Sequence, residues 1–574
     1  MILMAGYLDV RGDVSVVLCG AAGQGIKTVE QVLTSVLKQS GYNIFATKEF
    51  MSRIRGGVNS TSIRVSSERV RAYSDRIDIL VPLSEGAVRH LEGRISEKTL
   101  VLGEEDILES EYSGDNGVVF PFTDLAKDAG GKLFANTVAA ASVLALFSGD
   151  FELLKEFLEH TFGEKGEEIV DKNVKAAEKG YELGSELVEG GKVKIDVDRR
   201  EDISREMLLN GTQAVALGSL AGGCNFLSFY PMTPGTGVAT FMAERAADLG
   251  ILVEQAEDEI GAVNMSIGAW YAGARGMVST SGGGFALMVE GLSLSGVLET
   301  PTVIHLSQRP GPGTGLPTRT EQGDLLFALY AAHGEFPRVI YSPGSVEEAF
   351  NLSSRAFEVA DRYQVPVIIL TDQYLVDSYY NIPNLDLDGM KTNDHYVETD
   401  ADYVRYSFTD DGVSPRGIPG LGQGLVCVDS DEHDEEGHIT EDFDVRIRMV
   451  DKRLKKMKML TREAVQPKLI GDQGYETLLI GWGSTLGAVS EAMRGLGDES
   501  ISLLHFGQVY PLPEEARSFI GNAERTIVIE NNATGQFAKL LRLESGLEVD
   551  ERINKYNGLP FSTEELTERL EELL

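Results

Sequence analysis

Glu259 is the side chain with the clearest chemical reading. It closes Val253-Glu-Gln-Ala-Glu-Asp-Glu259, and the spacing of the residues after it, Ile260 to Gly273, predicts a helix. A carboxylate in a first helical turn sits well with the positive end of the helix dipole, so Glu259 reads either as a structural charge or as an acid–base group. Upstream, Tyr230-Pro-Met-Thr-Pro-Gly235 follows the apolar Phe226-Leu-Ser-Phe229. Its two prolines fix φ and restrict their neighbours, which holds Thr233 in a stiff turn at a strand end. Downstream, Ser279-Thr-Ser-Gly-Gly-Gly284 is a loop that a ligand can approach closely. Arg309 then stands past an apolar run, with Pro-Gly-Pro-Gly after it, where a guanidinium can form a bidentate pair with a carboxylate. Taken singly, each has a plain structural reading: a helix charge, a rigid loop, an ion pair.

Three further stretches carry weaker signals. Gly20-Ala-Ala-Gly-Gln-Gly25 is a glycine-rich turn before a helix, where backbone N–H groups can meet an anion or simply make the turn. It lacks the Lys-Ser/Thr of a P-loop. Arg53-Ile-Arg55-Gly-Gly57 is a basic loop that either is solvated or meets a phosphorylated ligand. Asp429 to Asp442 gathers carboxylates with His433 and His438 and reads as a solvated acidic loop, with a hard-metal site as the alternative.

The elements that must position these residues follow an α/β pattern. Val14–Cys19, Ile77–Pro82 and Thr99–Leu102 read as buried strands, Ile26–Gly41 as a helix, and Phe151–Glu189 as charged helix. A polar linker is expected from Gly190 to Arg200, then a helix from Ile203 to about Leu220. Val278, Thr302–Leu306, Val339–Tyr341 and Val365–Thr371 read as strands of a mostly parallel sheet with helices on both faces. Val445–Glu463 is a charged helix, and strands follow at Glu476–Gly481, Ser502–Phe506 and Arg525–Glu530 before a last amphipathic helix, Thr563–Leu574. The helix after Glu259 carries Gly261, Met265, Gly268, Ala269 and Ala272 on one stripe, a face that suits close packing across a subunit interface.

Composition narrows the classes. The 574 residues carry a net charge of -37, which excludes nucleic-acid binding through the general surface, since phosphate contacts need Lys and Arg. The apolar runs fall short of a membrane span, and Met1–Asp13 has no signal-peptide pattern, so a cytoplasmic protein is expected. Three cysteines, Cys19, Cys224 and Cys427, are too few for a four-cysteine iron–sulfur cluster, and Cys19 reads as a core residue.

Together the motifs Tyr230-Pro-Met-Thr-Pro, Glu-Asp-Glu259-Ile-Gly-Ala, Thr-Ser-Gly-Gly-Gly-Phe285, Gly-Pro-Gly-Thr-Gly-Leu-Pro-Thr-Arg319 and His433-Asp-Glu-Glu-Gly-His-Ile-Thr-Glu-Asp442 resemble the 2-oxoacid:ferredoxin oxidoreductases. The match is to the alpha subunit with a gamma-type domain fused at its N-terminus, and it covers nearly the whole chain. Met232, Gly235-Thr236 and Gly20-Ala-Ala-Gly depart from the commonest family residues. The resemblance implies three α/β domains: a gamma-type domain over 1–192, a thiamine-diphosphate pyrimidine-binding domain over 200–445 and a transketolase C-terminal-like domain over 464–574.

The same resemblance implies oxidative decarboxylation of a 2-oxoacid with coenzyme A as cosubstrate, and the chain is active only with a beta subunit. That partner supplies the diphosphate-binding domain, Mg2+ and a [4Fe-4S] cluster that passes electrons to ferredoxin, and a dimer of heterodimers is expected. Glu259 matches the activating glutamate; Tyr230, Pro231, Ser281, Gly282 and Gly283 join it in holding the cofactor. Thr233, Arg309 and Thr318 match the substrate contacts. Arg319 is a candidate second cation that would favour 2-oxoglutarate over pyruvate. Gly23, Gln24, Gly25 and Arg55 are the candidates for coenzyme A. A different transketolase-like enzyme and a nucleotide-binding α/β module are the rival classes.

Overall fold

A computed structural model describes residues 8–22, 26–52, 57–387, 390 and 392–574. Gly23, Gln24, Gly25 and Arg55 lie outside the described residues. The chain divides into two compact units, the first formed by Met1–Leu209, Asp377–Asn384 and Ser562–Leu574, the second by Asn210–Val376 and Leu385–Phe561.

The first unit is built on an eight-stranded mixed sheet. Its centre is Asp13–Ala21, seven of whose nine residues are buried, flanked in parallel by Ile79–Pro82 and antiparallel by Val58–Ser66. The apolar run Val14–Cys19 thus forms the strand its composition predicts, and the helix Ile26–Gln39 follows it. The region expected as one charged helix from Phe151 is two, Phe151–Phe162 and Glu167–Glu189, because Gly166 adopts a φ of 98° between them. The second of these packs on the apolar helix Ala135–Leu146 with unusually close backbones. A Cβ at Gly180 would fall 2.2 Å from the Val138 carbonyl oxygen, and one at Gly184 would fall 2.3 Å from that of Ser142.

Two expectations fail here. The polar stretch after Gly191 is not all linker: Val193–Asp196 pairs in parallel with Leu8–Arg11. The helix expected from Ile203 is interrupted by the strand Met207–Asn210, and the helix proper begins at Gly211. Asn210 sets that start. Its side chain accepts from Gln213 N–H while the Gln213 side chain accepts from Asn210 N–H, a reciprocal cap that satisfies two otherwise free donors.

The second unit holds a seven-stranded sheet in the order Leu252–Gln255, Phe226–Phe229, Gly276–Ser281, Thr302–Gln308, Pro366–Asp372, Val339–Tyr341 and Gln508–Tyr510. All its neighbours are parallel except the last pair. A five-stranded sheet centred on Thr477–Trp482 packs into the same apolar core, which includes Val278, Ile304 and Ile368 from one sheet and Leu478, Ile480 and Leu504 from the other. Strands buried on both faces explain the unbroken apolar runs of the sequence. Among the described residues no helix is long and apolar enough to cross a membrane.

Candidate active site

The large sheet reverses direction at its second strand. From Phe226–Phe229 the chain first adds Leu252–Gln255 on one side and then Gly276–Ser281 on the other. The connections leave the carboxyl ends of these strands on diverging paths and open a crevice, the usual place for a ligand in an open α/β sheet. The stiff loop Tyr230–Gly235 leaves Phe226–Phe229, the helix Glu259–Tyr271 follows the edge strand, Gly282–Gly284 leaves Gly276–Ser281, and Arg309 follows Thr302–Gln308. The motifs read from the sequence around Thr233, Glu259, Ser281 and Arg309 thus all follow the carboxyl ends of neighbouring strands.

Asp258 is the cap of the helix after Glu259; its side chain accepts from Gly261 N–H at 2.7 Å. That cap leaves Glu259 free of a capping role, and its side chain turns inward, with only 2% of its surface exposed. Its Oε1 is buried with no hydrogen-bond partner among the described residues. Gly284 explains how the carboxylate fits: a Cβ there would lie 2.5 Å from Glu259 Oε1 and 2.1 Å from Thr280 Oγ1. Ser281, fully buried, also has an unpartnered hydroxyl. Buried polar groups are almost always paired, so Glu259 and Ser281 each keep hydrogen-bonding capacity that the described residues do not use.

Thr233 is held from below and from the side. Arg309 Nη1 donates to the Thr233 carbonyl at 2.7 Å. Ser279 Oγ donates to the Gly235 carbonyl at 2.8 Å and lies 2.9 Å from His305 Nδ1, while His305 Nε2 lies 2.9 Å from Thr371 Oγ1. Since Ser279 commits its proton to Gly235, its oxygen faces Nδ1 as an acceptor, while Thr371 Oγ1 also donates to Ser307 Oγ at 3.1 Å. Burial pushes His305 down to about 3, so the ring is neutral and acts as a strut.

Arg309 is part-buried, and burial holds its guanidinium below the usual range, opposed by the nearby Asp324 carboxylate. Asp324 was not legible in the sequence. Its carboxyl sits on the glycine turn, since a Cβ at Gly282 would lie 2.4 Å from Asp324 Oδ2, and burial with help from Glu321 raises it to about 6 against the pull of Arg309. His305 and Thr371 are the other contributors that lie outside the motifs, while Ser279 and Thr280 belong to the Ser279–Gly284 motif.

Tyr230 and Pro231 are exposed at the mouth of the Tyr230–Gly235 loop, and Gly283 has open space above it, with only the Gly313 carbonyl oxygen at 4.0 Å from a Cβ built there. Thr318 and Arg319 are seen instead with each other and with a later loop: Arg319 Nη1 lies 3.5 Å from the Thr318 carbonyl, and its stem packs on Gly558.

The loop Asp429–Asp442 is less solvated than expected. His433 is fully buried and lies on the Tyr406 ring with centroids 4.0 Å apart, and Glu432 pairs with Arg446 and Arg453. Asp434, Glu436 and His438 lie within 4.8 Å of one another on its exposed side.

Comparison with known proteins places this architecture. Residues 217–452 match the family model described as pyruvate flavodoxin/ferredoxin oxidoreductase, thiamine diP-bdg, and residues 15–183 match pyruvate ferredoxin/flavodoxin oxidoreductase. A 2-oxoacid:ferredoxin oxidoreductase subunit alpha from Sulfolobus sp is 33% identical over 617 aligned residues, with 96% of each chain covered. The chain belongs to the 2-oxoacid:ferredoxin oxidoreductase alpha-subunit family. It is an oxidoreductase. A solved structure, the 2-oxoglutarate:ferredoxin oxidoreductase from Magnetococcus marinus with 2-oxoglutarate, coenzyme A and succinyl-CoA bound, superimposes with a TM-score of 0.91 at 30% identity, over 98% of this chain and all of that one. The 2-oxoglutarate synthase subunit KorA of Methanothermobacter thermautotrophicus is 31% identical over 371 residues, covering 63% of this chain and 98% of that protein.

Proposed function

We propose that this chain is the alpha subunit of a complex that oxidatively decarboxylates a 2-oxoacid, with 2-oxoglutarate favoured over pyruvate, to CO2 and an acyl-coenzyme A. The observation that carries the reading is Glu259: a buried carboxylate with an unpartnered oxygen at the switch point of a parallel sheet, against a glycine turn that a Cβ would fill.

Those residues fit thiamine diphosphate. Glu259 and Ser281 offer an acceptor and a hydroxyl to an aminopyrimidine ring, and Gly282–Gly284 allow it to approach the backbone. Bound there, thiamine diphosphate supplies the carbon nucleophile and the electron sink of the decarboxylation. Glu259 holds the proton shared with the pyrimidine ring nitrogen, in a site where burial strengthens that bond. Thr233 and Arg309 orient the 2-oxoacid carboxylate. With one N–H of Arg309 fixed on the Thr233 carbonyl, the guanidinium keeps donors for the substrate and a fixed direction. Arg319, with Thr318, is the candidate contact for the second carboxylate of 2-oxoglutarate.

The partner reading rests on two features of this chain. Three cysteines cannot hold a four-cysteine cluster, and burial pushes the Cys19 and Cys224 thiols up to about 12, unsuited to metal ligation. The electrons therefore leave through a cluster on a beta subunit, which also carries Mg2+ and passes them to ferredoxin. The helix Glu259–Tyr271 keeps Ile260 and Met265 outward, and nothing within 4 Å would meet a Cβ at Gly268, a face that suits that subunit. Residues 1–192, 200–445 and 464–574 take the roles of coenzyme-A-associated, pyrimidine-binding and transketolase-like domains, with Gly23, Gln24, Gly25 and Arg55 as the coenzyme A candidates. A cytoplasmic dimer of heterodimers completes the reading.

The test is anaerobic reduction of a viologen dye by the co-purified complex, dependent on both 2-oxoacid and coenzyme A. We expect activity in the complex and none in the isolated chain, 2-oxoglutarate ahead of pyruvate, and Arg319→Ala narrowing that preference. Turnover by the isolated chain, or coenzyme-A-independent activity, would contradict the proposal.

A further inference from the structure

Asp324 belongs to none of the sequence motifs, yet the fold ties it to the substrate side of the site. Its backbone N–H donates to Gln308 Oε1 at 2.9 Å, and Gln308 Nε2 donates to the Thr371 carbonyl at 3.2 Å, so Asp324 is fixed to the end of the strand that carries Arg309. Its carboxyl lies on Gly282, two residues before the glycine that receives Glu259. The two carboxylates thus pack on glycines of one turn. The charged groups that act on Asp324 are Arg309 and Glu321. Glu259 packs on Gly284 of the same turn, and the helix after Asp324, Leu325–Tyr330, carries no charge.

A 2-oxoacid brings a second carboxylate to Arg309. One guanidinium, already committed in part to the Thr233 carbonyl and within the electrostatic reach of Asp324, then meets a second anion. Like charges sharing one counter-ion do not both stay ionised in such a place. We propose that Asp324 sets the charge of the 2-oxoacid subsite: its carboxylate competes with the substrate carboxylate for Arg309, and the substrate binds with one proton taken from solvent onto Asp324. The proton returns to solvent when the substrate carboxylate departs as CO2. Burial already raises this carboxyl to about 6, so the proton is within reach near neutral pH. The inference rests on the reading of Arg309 as the carboxylate contact.

The experiment is the KM for 2-oxoglutarate in the intact complex from about pH 5.5 to about pH 8.5, for wild type, Asp324→Asn and Arg309→Ala. In the wild type KM should climb, approaching about tenfold per pH unit above the Asp324 pKa, while Asp324→Asn should be flat and about 100-fold or more tighter at the alkaline end. A mutant profile parallel to wild type, or a KM raised at every pH, would overturn the proposal. Arg309→Ala separates the two layers. If it leaves KM unchanged, the reading of Arg309 has failed. If it raises KM strongly while Asp324→Asn follows wild type, only the role of Asp324 has. Calorimetry in two buffers of different ionisation enthalpy, on a Glu259→Gln complex that binds without turnover, needs no change at Asp324. Uptake of about one proton per site at alkaline pH supports the proposal, and none refutes it.

Discussion

Two buried glutamates in the second unit show how differently one fold can treat the same side chain. Glu299 is enclosed with Lys452 and Lys456, whose Nζ atoms lie 2.6 and 2.5 Å from its two oxygens. The ammonium groups, with Arg405 near, hold its carboxyl well below the usual carboxylate range despite full burial, and burial lowers Lys456 to about 8. Glu259 is as deeply buried but keeps an oxygen with no partner. Both are expensive to bury. The first is balanced within the chain and ties the helix Phe443–Arg462 to the sheet unit. The second is balanced only if something from outside completes it. What separates them is the counter-charge: Glu299 has two lysines against it, whereas no ion pair forms at Glu259 among the described residues.

The comparison can be broken at several points. Glu259→Gln should lower complex turnover by about 100- to 10,000-fold, the range of a lost acid–base group, while leaving the thermal midpoint nearly unchanged. Glu299→Gln should do the reverse, costing about 3–5 kcal/mol of stability because Lys452 and Lys456 are left buried without their counter-ion. Acid should act in the same direction. The depressed Glu299 carboxyl contributes stability that is present above its unfolded pKa and lost as pH falls toward its folded value, which a pH series of thermal melts on wild type and Glu299→Gln would show. Gly284→Ala should cut turnover at least tenfold and destabilise by about 1–3 kcal/mol, since the added methyl collides with Thr280 Oγ1 and Glu259 Oε1. The smallest effect is on Asp324. Its raised carboxyl gives stability present below about pH 4 and lost as pH rises through about 6, so Asp324→Asn should be more stable than wild type by about 2 kcal/mol at alkaline pH and no more stable at pH 4.

Much of the fold was legible because local pattern and tertiary role agree. Runs such as Thr302–Leu306 and Val365–Thr371 are apolar because both faces are covered, and each is a strand. Glu259 was legible because helix periodicity begins at it. Pairings across long separations were not. Val193–Asp196 is polar in sequence and becomes a strand only because Leu8–Arg11 offers it an edge, and Tyr379–Ile382 joins the first unit's sheet against Asn43–Glu49. The same holds in the site. Nothing near Asp324 in sequence announces that it rests on Gly282, and His305 sits in an apolar run whose pattern gives no hint of Ser279 and Thr371 at its two nitrogens.

The free oxygen of Glu259 is the group proposed to serve thiamine diphosphate. The most direct measurement is the rate at which the thiazolium C2 proton of the bound cofactor exchanges with deuterated solvent, followed by NMR after rapid acid quench, in the wild-type complex and in Glu259→Gln. Exchange slowed by about 100-fold or more in the mutant, with cofactor still bound, is the predicted result. Equal rates with equal cofactor occupancy would contradict it and return Glu259 to the class that Glu299 represents.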